Sequence, residues 1–131
     1  MAKISSHIAK ELYKVEIKST SGNTLIADEP VENGGKNLGF SPHELLISAL
    51  AACTNATLRM YADRKQWDLQ EVKTNIDLLA DESGQKTILN RQIELIGNLS
   101  DEQKERLMTV ANKCPLHKIL SNPIEINTTG V

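Results

Sequence analysis

Aromatic side chains are scarce in this sequence: one Trp, two Tyr and one Phe, 3 % of 131 residues. Any core must therefore be built from Leu, Ile, Val and Ala. An excess of one charge is missing too. The net charge is −2, the pI is near 5.9, and the basic residues are spread along the chain. That balance gives no electrostatic case for nucleic acid or an anionic membrane. Long hydrophobic runs are absent. The longest uncharged stretch, Leu45 to Leu58, is broken by Ser48, Thr54, Asn55 and Thr57. As a helix it would cover roughly 21 Å, against about 30 Å of hydrocarbon, which predicts a buried helix rather than a membrane span. The first residues, MAKISSHIAKELYKV, hold no apolar run fit for an export signal, which predicts a cytoplasmic protein. Cysteine is limited to Cys53 and Cys114. Two thiols in a reducing compartment are expected to carry chemistry rather than a permanent bridge.

What is present fits one α+β domain over residues 1–131, with 40 % hydrophobic residues and no repeat or linker that divides it. Tyr13, Val15 and Ile17 alternate with Lys14, Glu16 and Lys18, the period of a half-buried strand. Ser21-Gly22-Asn23 turns the chain, and Thr24 to Ala27 pairs back as a hairpin. Asp28 to Gly39 has no periodicity and reads as a loop. Val72 to Leu78 alternates again, Asp81 to Gly84 turns, and Thr87 to Ile96 returns. A last strand is expected at Ile124 and Ile126.

Between the strands, Ser41, Pro42 and Glu44 form a capping-box signal, with Phe40 and Leu45 spaced as a hydrophobic staple. The helix they open meets no Gly or Pro before Lys65 and is apolar nearly all round, rich in Ala. That predicts a central helix packed closely against a neighbour, including a second copy of itself. Ser100 and Gln103 open a second helix with another capping box. Leu107, Val110, Ala111 and Cys114 share one face of it, and Pro115 ends it and begins a short helix through Leu120.

A buried free Cys is commonly a small hydrophobe, so neither thiol is reactive by its presence alone. Lowering a thiol pKa from about 8.5 to about 6 takes roughly 3.4 kcal/mol. A helix terminus supplies about 0.3–1 kcal/mol, so a reactive Cys53 needs a cation or donors brought from elsewhere in the fold. A zinc site assembled from Cys114, His117 and Cys53 or His43 has only one short-spaced ligand pair, too few for the usual zinc signal.

The segments SPHELLISALAACTNATLRMYA and KCPLHKIL resemble the signature of OsmC-like proteins, which include the organic hydroperoxide resistance proteins. The anchors are Ser-Pro-x-Glu-Leu, Ala-Ala-Cys nine residues past the Glu, and Cys-Pro at the end of the second helix. The resemblance implies an α+β OsmC-like fold, an intertwined homodimer of long central helices flanked by sheets, with active sites at the subunit interface. It makes Cys53 the peroxidatic cysteine, which forms a sulfenate, and Cys114 the resolving cysteine, which closes a Cys53–Cys114 disulfide. A small organic hydroperoxide is the implied substrate and an external dithiol the reductant, with no metal or other cofactor required.

In the characterised peroxidases an N-terminal Arg activates the thiolate. Here no Arg precedes Arg59, and His43 follows Pro42, which aligns the chain with the broader OsmC-like branch. Supporting roles then fall to His43, Glu44, Arg91 and His117. Each has a plainer reading: Glu44 as capping residue, His117 as a first-turn polar residue, and Arg91 as a side chain that escapes to water at a strand edge or bulge. The competing expectation is a non-enzymatic dimer binding a small apolar or thiol ligand.

Overall fold

Three antiparallel strands open the chain in the computed structural model, which describes residues 2–131. They are β1 (Ile4–His7), β2 (Val15–Ser19) and β3 (Thr24–Ala27), paired in the order β1-β2-β3. They belong to the first of two units, Met1–Leu46 and Ile47–Val131. β2 follows its alternation, with Val15 and Ile17 half-buried between exposed Glu16 and Lys18. β1 has no such pattern, because all four of its side chains are exposed and only backbone pairing with β2 defines it. His7 stands opposite Glu16 in that ladder, and its Nε2 lies 2.8 Å from the carboxylate.

Tyr13 was expected in β2 but stays outside it. Its N–H donates to Asp28 Oδ1 at 3.3 Å instead of joining a ladder. Asp28 is buried, and it organises the stretch that reads as a featureless loop. Oδ1 also accepts from the Glu29 N–H at 2.7 Å, and Oδ2 accepts from Lys36 and Leu38 at 3.2 and 3.1 Å. Burial raises the carboxyl pKa, but these four backbone donors together outweigh it and hold Asp28 below the usual carboxylate range. A Cβ on Gly35 would lie 1.9 Å from the Glu29 carbonyl oxygen, so only glycine lets the loop wrap this closely.

The long helix α1 (Pro42–Lys65) begins as its sequence predicts. Ser41 Oγ accepts from the Glu44 N–H at 3.2 Å, and Glu44 Oε1 accepts from the Ser41 N–H at 2.9 Å. Phe40 remains over half exposed. α1 is not enclosed all round. Its buried residues, Leu50, Thr54, Leu58 and Ala62, form one stripe at four-residue spacing, while Ala49, Ala52, Ala56 and Met60 are exposed. By length and composition α1 could cross a bilayer. Its last turns, however, carry Arg59, Asp63, Arg64 and Lys65, and Arg59 donates to the Leu69 carbonyl at 2.6 Å as well as to Asp63. These contacts and the buried stripe mark it as an integral helix of this fold.

In the second unit, β4 (Asp68–Ala80) and β5 (Thr87–Asn98) form a long hairpin, wider at each end than the alternation suggests. Its register slips between Leu69 and Glu71, opposite Gly97. A Cβ on Gly97, at φ 149°, would lie 2.0 Å from the Asp68 carbonyl oxygen. α2 (Asp101–Ala111) carries the predicted Ser100–Gln103 capping box, and α3 (Pro115–Ser121) follows with Cys114 as its N-cap. The core joins Leu58 and Ala62 of α1, Leu69 of β4, and Leu107, Val110 and Ala111 of α2. It is aliphatic, as the scarcity of aromatics requires; Tyr61 and Trp67 pack edge-to-face at its margin. The strand expected at Ile124 and Ile126 does not form. Both residues are exposed and pair with no strand among the described residues.

Candidate functional site

Cys114 is fully buried where α2 ends and α3 begins. Pro115 cannot continue α2, so Cys114 takes an extended conformation and caps α3, its sulfur accepting from the His117 N–H at 3.4 Å. β5 delivers Arg91 to the same place. Arg91 pairs with Ile76 in an unbroken part of the ladder, so no bulge carries it to water. Its register with Leu89, Ile93 and Leu95 turns it inward instead.

The guanidinium there meets four acceptors. Nη1 donates to Thr54 Oγ1 at 2.9 Å and lies 4.0 Å from Cys114 Sγ. Nη2 donates to Asn112 Oδ1 at 2.9 Å and to His117 Nδ1 at 3.1 Å. Because a guanidinium only donates, His117 Nδ1 must accept, and the ring proton of the neutral imidazole sits on Nε2. Thr54 in turn donates to the Leu50 carbonyl at 2.7 Å, which leaves its oxygen lone pair turned to Arg91. Among the described residues no carboxylate lies within ion-pair reach of Arg91. Of its four partners, only Cys114 can become an anion.

Cys53 is half-buried in the middle of α1, directly before Thr54. Successive helical side chains are about 100° apart, so Cys53 stands off the buried stripe that Thr54 belongs to. No hydrogen bond among the described residues reaches its sulfur. Glu44 is occupied by its capping box, and His43 is exposed on the first turn of α1. The structure thus gathers Arg91, His117 and Cys114, and adds Thr54 and Asn112, which the sequence reading passed over. A hydroxyl in the middle of an apolar stripe at positions 50, 54, 58 and 62 was the available signal for Thr54.

Arg91 and His117 also line a cleft of about 580 Å³. Leu50, Leu89 and Leu120 give it apolar walls, and Lys86 adds a second cation. Among the described residues no three His, Cys, Asp or Glu side chains cluster as a metal site requires.

A family model described as OsmC-like protein matches residues 34–129. The chain belongs to the OsmC-like protein family. No curated protein matches the sequence. Among solved structures, this OsmC-like chain is similar to an OsmC-like protein of Mycoplasma pneumoniae at 23 % identity and TM-score 0.76, covering 92 % of this chain and 87 % of that one. It is similar to an organic hydroperoxide resistance protein of Legionella pneumophila at 24 % and 0.66, covering 92 % and 88 %. The organic hydroperoxide resistance protein OhrB of Bacillus subtilis matches at 22 % and 0.63, covering 91 % and 89 %. At these identities the likeness carries the α+β fold of sheets and a long helix. The family itself includes hydroperoxide-resistance redox proteins.

Proposed function

We propose that this OsmC-like chain is a thiol-dependent redox protein that reduces organic hydroperoxides as a homodimer. The Cys53 thiolate attacks a peroxide oxygen, the O–O bond breaks, and the sulfur becomes a sulfenic acid. The departing alkoxide takes up a proton and leaves as an alcohol. The Cys114 thiolate then attacks the Cys53 sulfur, hydroxide leaves and is protonated to water, and the disulfide closes. An external dithiol returns both cysteines to thiols by exchange. The observation that carries this reading is the placement of Cys114 under an Arg91 that has no carboxylate partner, with a cleft of mixed leucine and cationic walls alongside. Cys53, the more exposed thiol, is the one a hydroperoxide reaches first.

Substitution of each cysteine tests the division of labour. Cys53→Ser abolishes hydroperoxide consumption, whereas Cys114→Ser reacts once and leaves a sulfenate on Cys53 that dimedone traps. Equal, mild losses from the two substitutions would mean that both cysteines only pack the fold. Among the described residues no cation donates to Cys53, which favours one other reading, a dimer that binds a small apolar or thiol ligand in the cleft without turning it over. On that reading both serine variants keep the ligand, and neither wild type nor variants consume peroxide.

A further inference from the structure

We infer that Arg91 serves Cys114 rather than Cys53, and that it thereby fixes how the disulfide is opened: an incoming thiol attacks Cys53, and Cys114 is the sulfur that leaves. This inference rests on the redox reading above and adds the direction of its last step. Among the described residues a cation donates toward one sulfur only. Arg91 Nη1 is 4.0 Å from Cys114 Sγ, the His117 N–H donates to the same sulfur at 3.4 Å, and no comparable donor reaches Cys53 among the described residues. The rest of the guanidinium is held by Thr54, Asn112 and His117, all neutral acceptors, so its charge is left for whatever anion forms at Cys114.

In thiol–disulfide exchange the better-stabilised thiolate leaves faster, and the sulfur that is attacked must be reachable. Both conditions select the same direction here. Cys53 is partly exposed and lacks a stabilising donor, while Cys114 is fully buried under Arg91. The thiolate of a small thiol attacks Cys53 Sγ, a new S–S bond forms there, and the Cys53–Cys114 bond breaks. Its electron pair departs on Cys114, held as thiolate beside Arg91. A second thiolate then attacks the mixed disulfide on its outer sulfur and releases Cys53, so that two thiols are oxidised to one disulfide and both cysteines are reduced. The same stabilised Cys114 thiolate is the nucleophile for closing the disulfide, so one cation serves closing and opening.

The test bypasses hydroperoxide altogether. Full-length protein is oxidised with diamide, exposed briefly to glutathione, quenched with N-ethylmaleimide, and mapped by peptide mass spectrometry. Glutathione is expected on Cys53 and maleimide on Cys114. Glutathione on Cys114, or failure of diamide to form the Cys53–Cys114 bond, overturns the inference. Because diamide supplies the oxidation, an enzyme that ignores hydroperoxides can still pass, and one that consumes them can still fail. In a second arm, Arg91→Gln slows opening by glutathione at least tenfold and Arg91→Lys recovers part of the rate. An unchanged rate in a folded Arg91→Gln protein also overturns it. If Arg91→Gln does not fold, the position of glutathione on the wild-type protein decides alone.

Discussion

Arg91 is the residue on which the site depends, and its cost to the fold is measurable through Thr54. That hydroxyl is fully buried and accepts from Arg91 while donating to the Leu50 carbonyl, so both of its roles are filled. Thr54→Val keeps the shape and removes the acceptor, leaving the half-buried Arg91 Nη1 short of a partner. The expected loss is about 1.5–3 kcal/mol in denaturant unfolding, the range for hydrogen bonds to charged groups. A loss near zero would show that water reaches Arg91 and that its charge is not held for Cys114. Asp28 makes the corresponding case in the first unit. Its carboxyl pKa is lowered on folding, so its stabilisation is fully present above the unfolded value of about 3.9 and is lost as pH falls through the lower folded value. Asp28→Asn offers an N–H₂ where backbone donors converge, and it should lower the melting temperature by several degrees at pH 7. The gap between wild type and variant should then narrow as pH drops below about 4. Calorimetry across that range checks both the size and the sign.

Among the elements, α1 is the most informative, because its two faces have different fates. The buried stripe through Leu50, Thr54, Leu58 and Ala62 packs within its own unit, whereas Ala49, Ala52, Ala56 and Met60 stay exposed without a charge among them. A face of this kind suits a second α1, since alanines let helices approach, and the packing must leave Cys53, which shares the face, open to small thiols. Ala56→Glu places a carboxylate in the middle of that face and should convert a dimer to monomers in light scattering without unfolding the chain. An unaffected dimer would mean that the subunits meet elsewhere. The start of α1 was legible in Ser41, Pro42 and Glu44, because capping is local chemistry between residues three apart. The same holds for Ser100 and Gln103 of α2. β1 was not legible, since Ile4–His7 has no alternation and owes its structure to backbone pairing with a distant strand. Ile124 and Ile126 went the other way: the local pattern suits a strand, but a strand exists only through pairing, and these residues pair with none among those described. The Asp28 loop escaped for a related reason, as its order comes from a carboxylate collecting donors ten residues and more away. In the site, Cys114 and His117 were visible as neighbours across Pro115, and Arg91 was visible as a charge in an apolar register. Which sulfur that charge serves is decided by the chain's path at Pro115, a tertiary fact that no spacing contains.

For the whole molecule, the proposed unit of function is a dimer, and its mass should be twice the 14.5 kDa of one chain at micromolar concentration. Exposed Ile4, Leu25, Ile26, Leu38 and Phe40 in the first unit give that dimer further apolar surface to bury. The proposed thiol chemistry should prefer organic peroxides, because the cleft beside Arg91 pairs leucine walls with cations. The most direct measurement is the rate of thiol loss in the fully reduced protein mixed with cumene hydroperoxide or with hydrogen peroxide, followed by intact mass and peptide mapping. The predicted result is faster loss with cumene hydroperoxide, ending in one Cys53–Cys114 disulfide per chain. Equal, slow oxidation by both peroxides with no Cys53–Cys114 disulfide would contradict it.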